Sequence, residues 1–479
     1  MESRKTFRDW SPKDYAHQPV IPAEILAEDD LVFFLIELVP QLDLTPFYAY
    51  YERETRGAPP FDVAMMTTLL VYSYCVGVFS SRKIAAACER NLTFLAIVGH
   101  QRPDFRTISD FRKIHLERFE DFFVEVLRFA AALGMVKLGN LSLAGSKFRA
   151  NASRHKAMSY GYMTKEVERL RAEVADLLKQ AEQTDAAQDA MLGSRRGDEL
   201  PEELKRREQR LQVIEAAMRR LEQEAKEAAE VQRRERAEAE AQRQATEKKR
   251  RGPEPQPISD APAEKAQTNF TDPDAKIMKT SNKGFDYGFN AQAVVDEAHQ
   301  IIVAAELSAA ANDKQQAVPL ADATLANLQA AGIERPVEGC PSETAEGETE
   351  MKPKAIPLSA DNGYFSESNV GDLETRGFDP HLATGRQKHN QPPAKESSSE
   401  APKAATVKER MTAKLRTEKG RACYAKRKQI IEPVFGQIKQ GRGFRQFLLR
   451  GLKKVGGEWK LVCLTHNLLK IWRYQCALA

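Results

Sequence analysis

Hydrophobic and polar positions alternate in three different ways along this chain. From residue 20 to about 135 the apolar residues come in runs such as Leu31-Val32-Phe33-Phe34-Leu35-Ile36 and Val63-Ala64-Met65-Met66-Thr67-Thr68-Leu69-Leu70-Val71. Their length, with Pro and Asp on the flanks, predicts helices rather than strands. Thr107-Ile108-Ser109-Asp110 reads as a capping box that opens a helix. Phe111, Ile114, Phe119, Phe122, Val126 and Phe129 then share one helical face, and Ser81 is placed to cap a helix through Ile84–Cys88. Two short helices before a capped one suit a helix-turn-helix, with Arg112 and Lys113 at its exposed start, facing DNA. They suit a plain helical bundle equally well.

The period changes at residue 138. Leu141-Ser142-Leu143-Ala144-Gly145-Ser146-Lys147-Phe148 alternates as a strand does, with Leu141 and Leu143 on one side and Ser142 and Ala144 on the other. Residues 164–251 form a charged helical tract with two apolar stripes, one of Leu170, Val174 and Leu177 and one of Leu204, Leu211, Ile214, Met218 and Leu221. Gly193-Ser194-Arg195-Arg196-Gly197 and Pro201 break the tract into a hairpin. The second stripe spans less than three heptads, which favours an insertion packed on itself or on a neighbour over a free coiled coil; a solvated spacer is the plainer alternative. Gly252-Pro253-Glu254-Pro255-Gln256-Pro257 is a stiff linker. Alternation returns at Phe285–Asp296 and Gln300–Leu307, joined by the turn Asp296–His299. A helix over Asp313–Ala331, a strand Ala355–Ala360, a strand Asp379–Thr384 and a closing amphipathic helix Leu461–Trp472 follow. Residues 337–354 and 387–405, rich in Pro, Ser, Glu and Lys, read as disordered loops.

Composition narrows this picture. At 479 residues, 42% of them hydrophobic, the chain has material for two or three cores. It has no run of eighteen apolar residues and no apolar segment behind Met1–Lys5, so neither a membrane span nor a secretory signal is expected. The six cysteines include no CxxC pair, which argues against a disulfide framework or a cysteine zinc site. The net charge of +4 hides a polarity: residues 401–479 hold 19 Lys and Arg against four Glu and no Asp. Such a basic end suits a polyanion.

Two acids stand out. Asp361 lies where the apolar strand runs into Asn362-Gly363, a place from which a carboxylate projects into a cleft. Glu432 sits in the basic stretch, followed by Pro433, with Lys428 and Lys439 near its helical face. Two carboxylates far apart in sequence can together hold Mg²⁺ or Mn²⁺, ions that prefer oxygen ligands. A metal pair of that kind activates the attacking oxygen and stabilises the leaving oxygen of a phosphodiester. Taken alone, the same acids are equally the ion pairs of an ordinary surface.

The runs Ser359-Ala360-Asp361-Asn362-Gly363-Tyr364-Phe365-Ser366-Glu367 and Glu432-Pro433-Val434-Phe435-Gly436-Gln437-Ile438-Lys439 resemble the DDE transposases of bacterial insertion sequences. Ala150–Tyr160, Phe270–Asp274, Ile277–Thr280, Asn290–Ala293, Ala311–Gln316, Ala383–Gln387 and Leu464–Lys470 extend the likeness in family order. The resemblance implies an α/β architecture, an RNase H-like catalytic core interrupted by a helical insertion and preceded by an all-α N-terminal domain. The expected boundaries are 1–135 for the helical DNA-binding part, 136–163 for the first piece of the core, 164–252 for the insertion and 253–479 for the remainder. It implies metal ligation and catalysis by Asp361 and Glu432, a Mg²⁺ or Mn²⁺ cofactor, and contacts to DNA through Lys428, Lys439, Arg442 and Arg445. Terminal inverted repeats and target DNA are the expected partners of a homo-oligomer in the cytoplasm, at the nucleoid.

The chain departs from the family at the first acid of the triad, and Lys428 matches only in charge the Arg expected four residues before the Glu. The first acid of the triad belongs in Asp-Gly-Thr/Ser-Lys, and here the run is Ala144-Gly145-Ser146-Lys147. A methyl group binds no metal. The implied function is metal-dependent cleavage and strand transfer at the element ends. The alternative is an impaired DNA-binding remnant or repressor. Asp313 is the nearest substitute acid.

Overall fold

The computed structural model describes residues 21–53, 59–99, 101–192, 202–245, 256–279, 284–338, 352–385 and 406–478. They fall into two compact units. One comprises Met1–Phe148, Asn290–Leu449 and Lys453–Ala479, the other Arg149–Phe289 and Arg450–Leu452.

Among the described residues the first unit begins with the helices α1 Pro22–Ile25, α2 Leu31–Leu38, α3 Thr45–Tyr51, α4 Val63–Cys75, α5 Ser81–Arg90, α6 Leu92–Val98, α7 Phe105–Ile114 and α8 Arg118–Ala132. Helix α4 begins where the Asp62 side chain accepts from the Met65 amide, and every residue from Met66 to Cys75 is buried. Two of its hydroxyls turn back on the helix, Thr68 to the Ala64 carbonyl and Ser73 to the Leu69 carbonyl.

Helix α7 starts two residues before the expected capping box. Asp104 is the cap, accepting from the amides of Arg106 and Thr107, and Thr107 lies inside the helix. Ser80, not Ser81, precedes α5, without a side-chain cap. The six expected face residues span two helices, and Ile114 is exposed. Arg112 differs most from its expectation. It is 5% exposed and donates to the Tyr74 hydroxyl, the Phe79 carbonyl and the Ser81 hydroxyl. A guanidinium so enclosed does not face DNA. Lys113 is exposed and paired with Asp110 at 3.1 Å.

Strands β1 Leu141–Arg149, β5 Phe285–Asp296, β6 Ile302–Ser308, β9 Ile356–Ala360 and β10 Phe378–Leu382 form a mixed sheet in the order β6-β5-β1-β9-β10. β9 runs parallel to both β1 and β10; β5 and β6 are an antiparallel hairpin with a register shift at Val294/Val295. β1 is central, so Leu141, Ser142 and Leu143 are all buried and the predicted two-sidedness is lost. The Ser142 and Ser359 hydroxyls satisfy one another at 2.8 Å across the pair. Asp296 holds the entry to the sheet, accepting from the Leu138 amide at 2.8 Å.

Helix α11 Ala317–Ala330 packs on β6 and α12 Glu367–Thr375 on β10. β7 Val337–Glu338 pairs antiparallel with β8 Lys352–Pro353, so the ends of the expected 337–354 loop are ordered against each other; the rest of that loop, and the 387–405 tract, lie outside the described residues. The chain finishes with α13 Val407–Arg416, α14 Glu418–Gly436 and α15 Leu452–Leu478.

Helix α15 is not the amphipathic cover the pattern predicted. From Glu458 to Leu468 every residue is buried, the condition of a helix enclosed on all sides. Its polar groups find partners within the fold. Asn467 accepts from the Ile302 amide and donates to the Ile302 carbonyl, both at 2.8 Å, closing the β6 edge. The Lys460 ammonium meets Glu120 and Glu306.

The second unit contains the antiparallel pair β2 Ala157–Ser159 and β3 Gln267–Asn269, and strand β4 Lys276–Lys279 paired with the start of β5. Its two long helices are α9 Tyr160–Leu192 and α10 Glu202–Ala245. Met163, Val167, Leu170, Ile214 and Leu221 form their core, with Leu211 and Met218 packed against it. Of the predicted stripes, Leu170 meets Leu211, Ile214, Met218 and Leu221, whereas Val174 and Leu177 lie outside this core. The predicted break at 193–201 lies outside the described residues. Among the described residues no single helix is long and apolar enough to cross a membrane.

Candidate active site

The end of β9 lies beside the middle of β1. Leu143 pairs with Ala360, the last pair of the register, and Ala144 and Asp361 are the residues that follow them. Asp361 ends its strand because its carboxylate accepts from the Gly363 amide at 2.8 Å, starting the 3₁₀ turn Asn362–Tyr364.

Asp313, on the connection from β6 to α11, comes to the same place. Its Oδ1 accepts from Asn290 at 2.6 Å and from Gln292 at 2.8 Å, both on β5. Gly145 makes room for this group: a methyl there would sit 2.3 Å from the Gln292 amide nitrogen and 2.7 Å from Asp313 Oδ1. A methyl on Gly363 would lie 3.0 Å from one Asp361 oxygen and 3.4 Å from one Asp313 oxygen. The two carboxylates therefore flank one small space. Tyr364, fully buried, donates to the Gln292 side chain. Burial, then the charges of Asp313 and Asp361, push its phenol far above the ordinary range, with Arg427 opposing.

Glu432 projects from the exposed side of α14, whose other side is anchored by buried Ile431, Val434 and Phe435; the Phe435 ring stacks on Trp459 at 6.1 Å. Pro433 lies inside this helix. It has no N–H for the carbonyl four residues earlier, and that carbonyl, of Gln429, accepts from the Gln300 side chain at 2.9 Å instead. Among the described residues no three His, Cys, Asp or Glu side chains converge into a metal cage. Asp361 and Asp313 offer hard oxygens of the kind Mg²⁺ takes, but with a methyl at position 144 the donor set does not complete a two-ion site.

The expected basic residues divide. Lys439 reaches the end of β1, its ammonium donating to the Ser146 hydroxyl at 2.6 Å and the Lys147 carbonyl at 2.9 Å and lying 4.3 Å over the Phe148 ring. Burial, and then Arg445, lower its pKa to about 8. Arg442 turns inward, donating to the Thr465 hydroxyl and the Val462 carbonyl, with its pKa lowered to about 10 by burial. Arg445 and Lys428 are exposed; Arg445 also holds the Lys439 carbonyl at 3.2 Å. Sequence reasoning missed Asn290, Gln292 and Tyr364 as the frame of the carboxylate pair, and Arg427. Arg427 lies 5.7 Å over Tyr424, and its buried Nε has no acceptor among the described residues. The available signal was two amide side chains inside an otherwise apolar strand.

Two family models match this chain. The one described as Transposase DDE domain matches residues 387–472, and the one described as Transposase domain (DUF772) matches residues 22–114. No curated protein and no solved structure matches it. A transposase domain over the N-terminal helices and a DDE domain over the basic C-terminal part support a transposase function. The two matches support an insertion-sequence DDE transposase, a family that generally uses divalent metal ions and whose substrate is DNA.

Proposed function

We propose that this chain binds the terminal inverted repeats of its element and carries out metal-dependent phosphodiester cleavage and strand transfer, with Asp361 and Glu432 as the acidic residues of the site. The strand order β6-β5-β1-β9-β10, with a leading antiparallel hairpin and two strands parallel to one another beyond β1, supports an RNase H-like core. The helical part is then residues 1–135, the core 136–163 and 253–479, and the helices of 164–252 an insertion. Mg²⁺ or Mn²⁺ would be held by Asp361 and Glu432 and would supply Lewis acidity at the phosphorus-bound oxygens. Exposed Lys428 and Arg445 are the side chains available to DNA phosphates, with Lys439 and Arg442 stiffening the elements behind them. The protein would act as a homo-oligomer on DNA, in the cytoplasm at the nucleoid.

One observation supports this reading: β1 runs parallel to β9 with Leu143 paired to Ala360, the residues that precede position 144 and Asp361. The same observation favours a second one, because the residue at 144 is alanine. In that reading the chain holds the ends without cutting them, as a remnant or a repressor. Incubation of end-containing DNA with Mn²⁺ separates the two. Cleavage by the chain as it stands, lost in Glu432→Gln, supports the enzyme; cleavage only in Ala144→Asp supports the impaired binder. Product that persists in Glu432→Gln removes the role given to Glu432.

A further inference from the structure

The charges of the N-terminal helices are unevenly shared. Pro22–Glu52 carries seven Asp and Glu and no Lys or Arg, whereas Ser81–Lys113 carries seven Lys and Arg and three acids. Within the second stretch Arg112 is buried, and Lys113 neutralises Asp110. Arg82, Lys83, Arg90, Arg102 and Arg106 are exposed, and none of them forms an ion pair among the described residues. The Asp104 carboxylate is taken up by the first amides of α7, which leaves Glu89 as the other acid of the stretch.

Two of these five cations are held ready. Helices α5 and α7 pack together, and Arg82 from the first turn of one and Arg106 from the first turn of the other both lie against the Phe105 ring, at 4.9 and 5.5 Å from its centre. An aromatic face restrains a guanidinium without consuming its hydrogen-bond donors. Two like charges gathered on one ring repel each other until an anion comes between them. The fork of a guanidinium fits phosphate, and a restrained fork loses less entropy on binding than a free side chain.

We propose that the surface formed by the first turns of α5 and α7, with Arg82 and Arg106 on Phe105, grips the sugar-phosphate backbone of duplex DNA. The inference rests on the reading of this chain as a DNA-handling transposase and adds which face of its helical part meets the duplex. It replaces the buried Arg112 with two residues that are exposed and free of ion pairs among the described residues.

The test is fluorescence anisotropy of a labelled random-sequence duplex titrated with the full chain over a range of KCl concentrations. The double variant Arg82→Gln/Arg106→Gln is expected to bind more weakly, with the slope of log K against log salt shallower by about 2, from roughly 0.9 for each phosphate no longer neutralised. Arg82→Lys/Arg106→Lys, which keeps the charge, is expected to retain most of that slope. Phe105→Leu is expected to weaken binding while leaving the slope in place. All three side chains lie at or near the surface, and thermal melts verify that the variants remain folded. A double glutamine variant with wild-type affinity and slope overturns the proposal. Absence of salt-dependent binding by the wild-type chain overturns the transposase reading beneath it, so the two failures are told apart.

Discussion

Ala144→Asp tests the geometry of the site directly. Position 144 and Asp361 follow Leu143 and Ala360, the last paired residues of two parallel strands, and residues one such step on stand about 4.8 Å apart if the register continues. Two carboxylates at that spacing repel by about 3 kcal/mol at an effective dielectric constant of about 20. Both positions are partly exposed, so about half of that is expected to survive solvent screening, or roughly 1–2 kcal/mol. The repulsion raises the carboxyl pKa in the folded state above its unfolded value. The penalty is therefore complete above the raised pKa and disappears as the pH falls toward the ordinary range of about 4. Urea unfolding in EDTA should show the variant less stable than the parent at neutral pH, with the gap closing on acidification. Addition of Mn²⁺ should close the gap at neutral pH, because a cation between the carboxylates binds only the folded chain. Identical unfolding midpoints for parent and variant at every pH, with no response to Mn²⁺, would refute the claim that these two positions face one another.

Arg112→Met should destabilise the protein by about 3–5 kcal/mol, since it strips a buried Glu458 of its compensating charge; denaturant midpoints measure this, and a loss below about 1 kcal/mol would contradict the enclosed network. Lys439 titrates near 8 when folded against 10.5 for an ordinary lysine. The unfolded chain thus binds the extra proton between those values, and stability should rise with pH across that window. Lys439→Gln should remove this rise, and pH-dependent unfolding that is the same in both proteins would discount the burial of the ammonium. Glu432→Gln should abolish metal-dependent cleavage while sparing DNA affinity, read by gel shift alongside the cleavage assay.

How much was legible varies with burial. The β5–β6 hairpin was readable because its two apolar runs flank a polar turn, although the residues from Asn290 to Asp296 are buried on both faces and only half of the pattern was informative. The stripes on α9 and α10 were readable because each helix buries one side against the other. Helix α15 misled because a helix enclosed on all sides shows no period to read. The capping of α7 misled because Asp104 and Thr107 are both competent caps, and only the path of the chain before the helix selects between them.

The site divides along the same line. The place of Asp361 at the end of a strand was recognisable from the Asn-Gly that follows it. The sequence by itself determined most element types, the basic C-terminal end, the resemblance to transposases and the alanine at position 144, because these depend on local preference and on residue identity. The tertiary structure alone decided that Asp313 lies beside Asp361, that Arg112 and Arg442 point inward and that Arg82 and Arg106 share one ring. Those facts depend on which distant segments pack together, and a charged side chain carries no local mark of whether its partner will be water, a carbonyl or a phosphate.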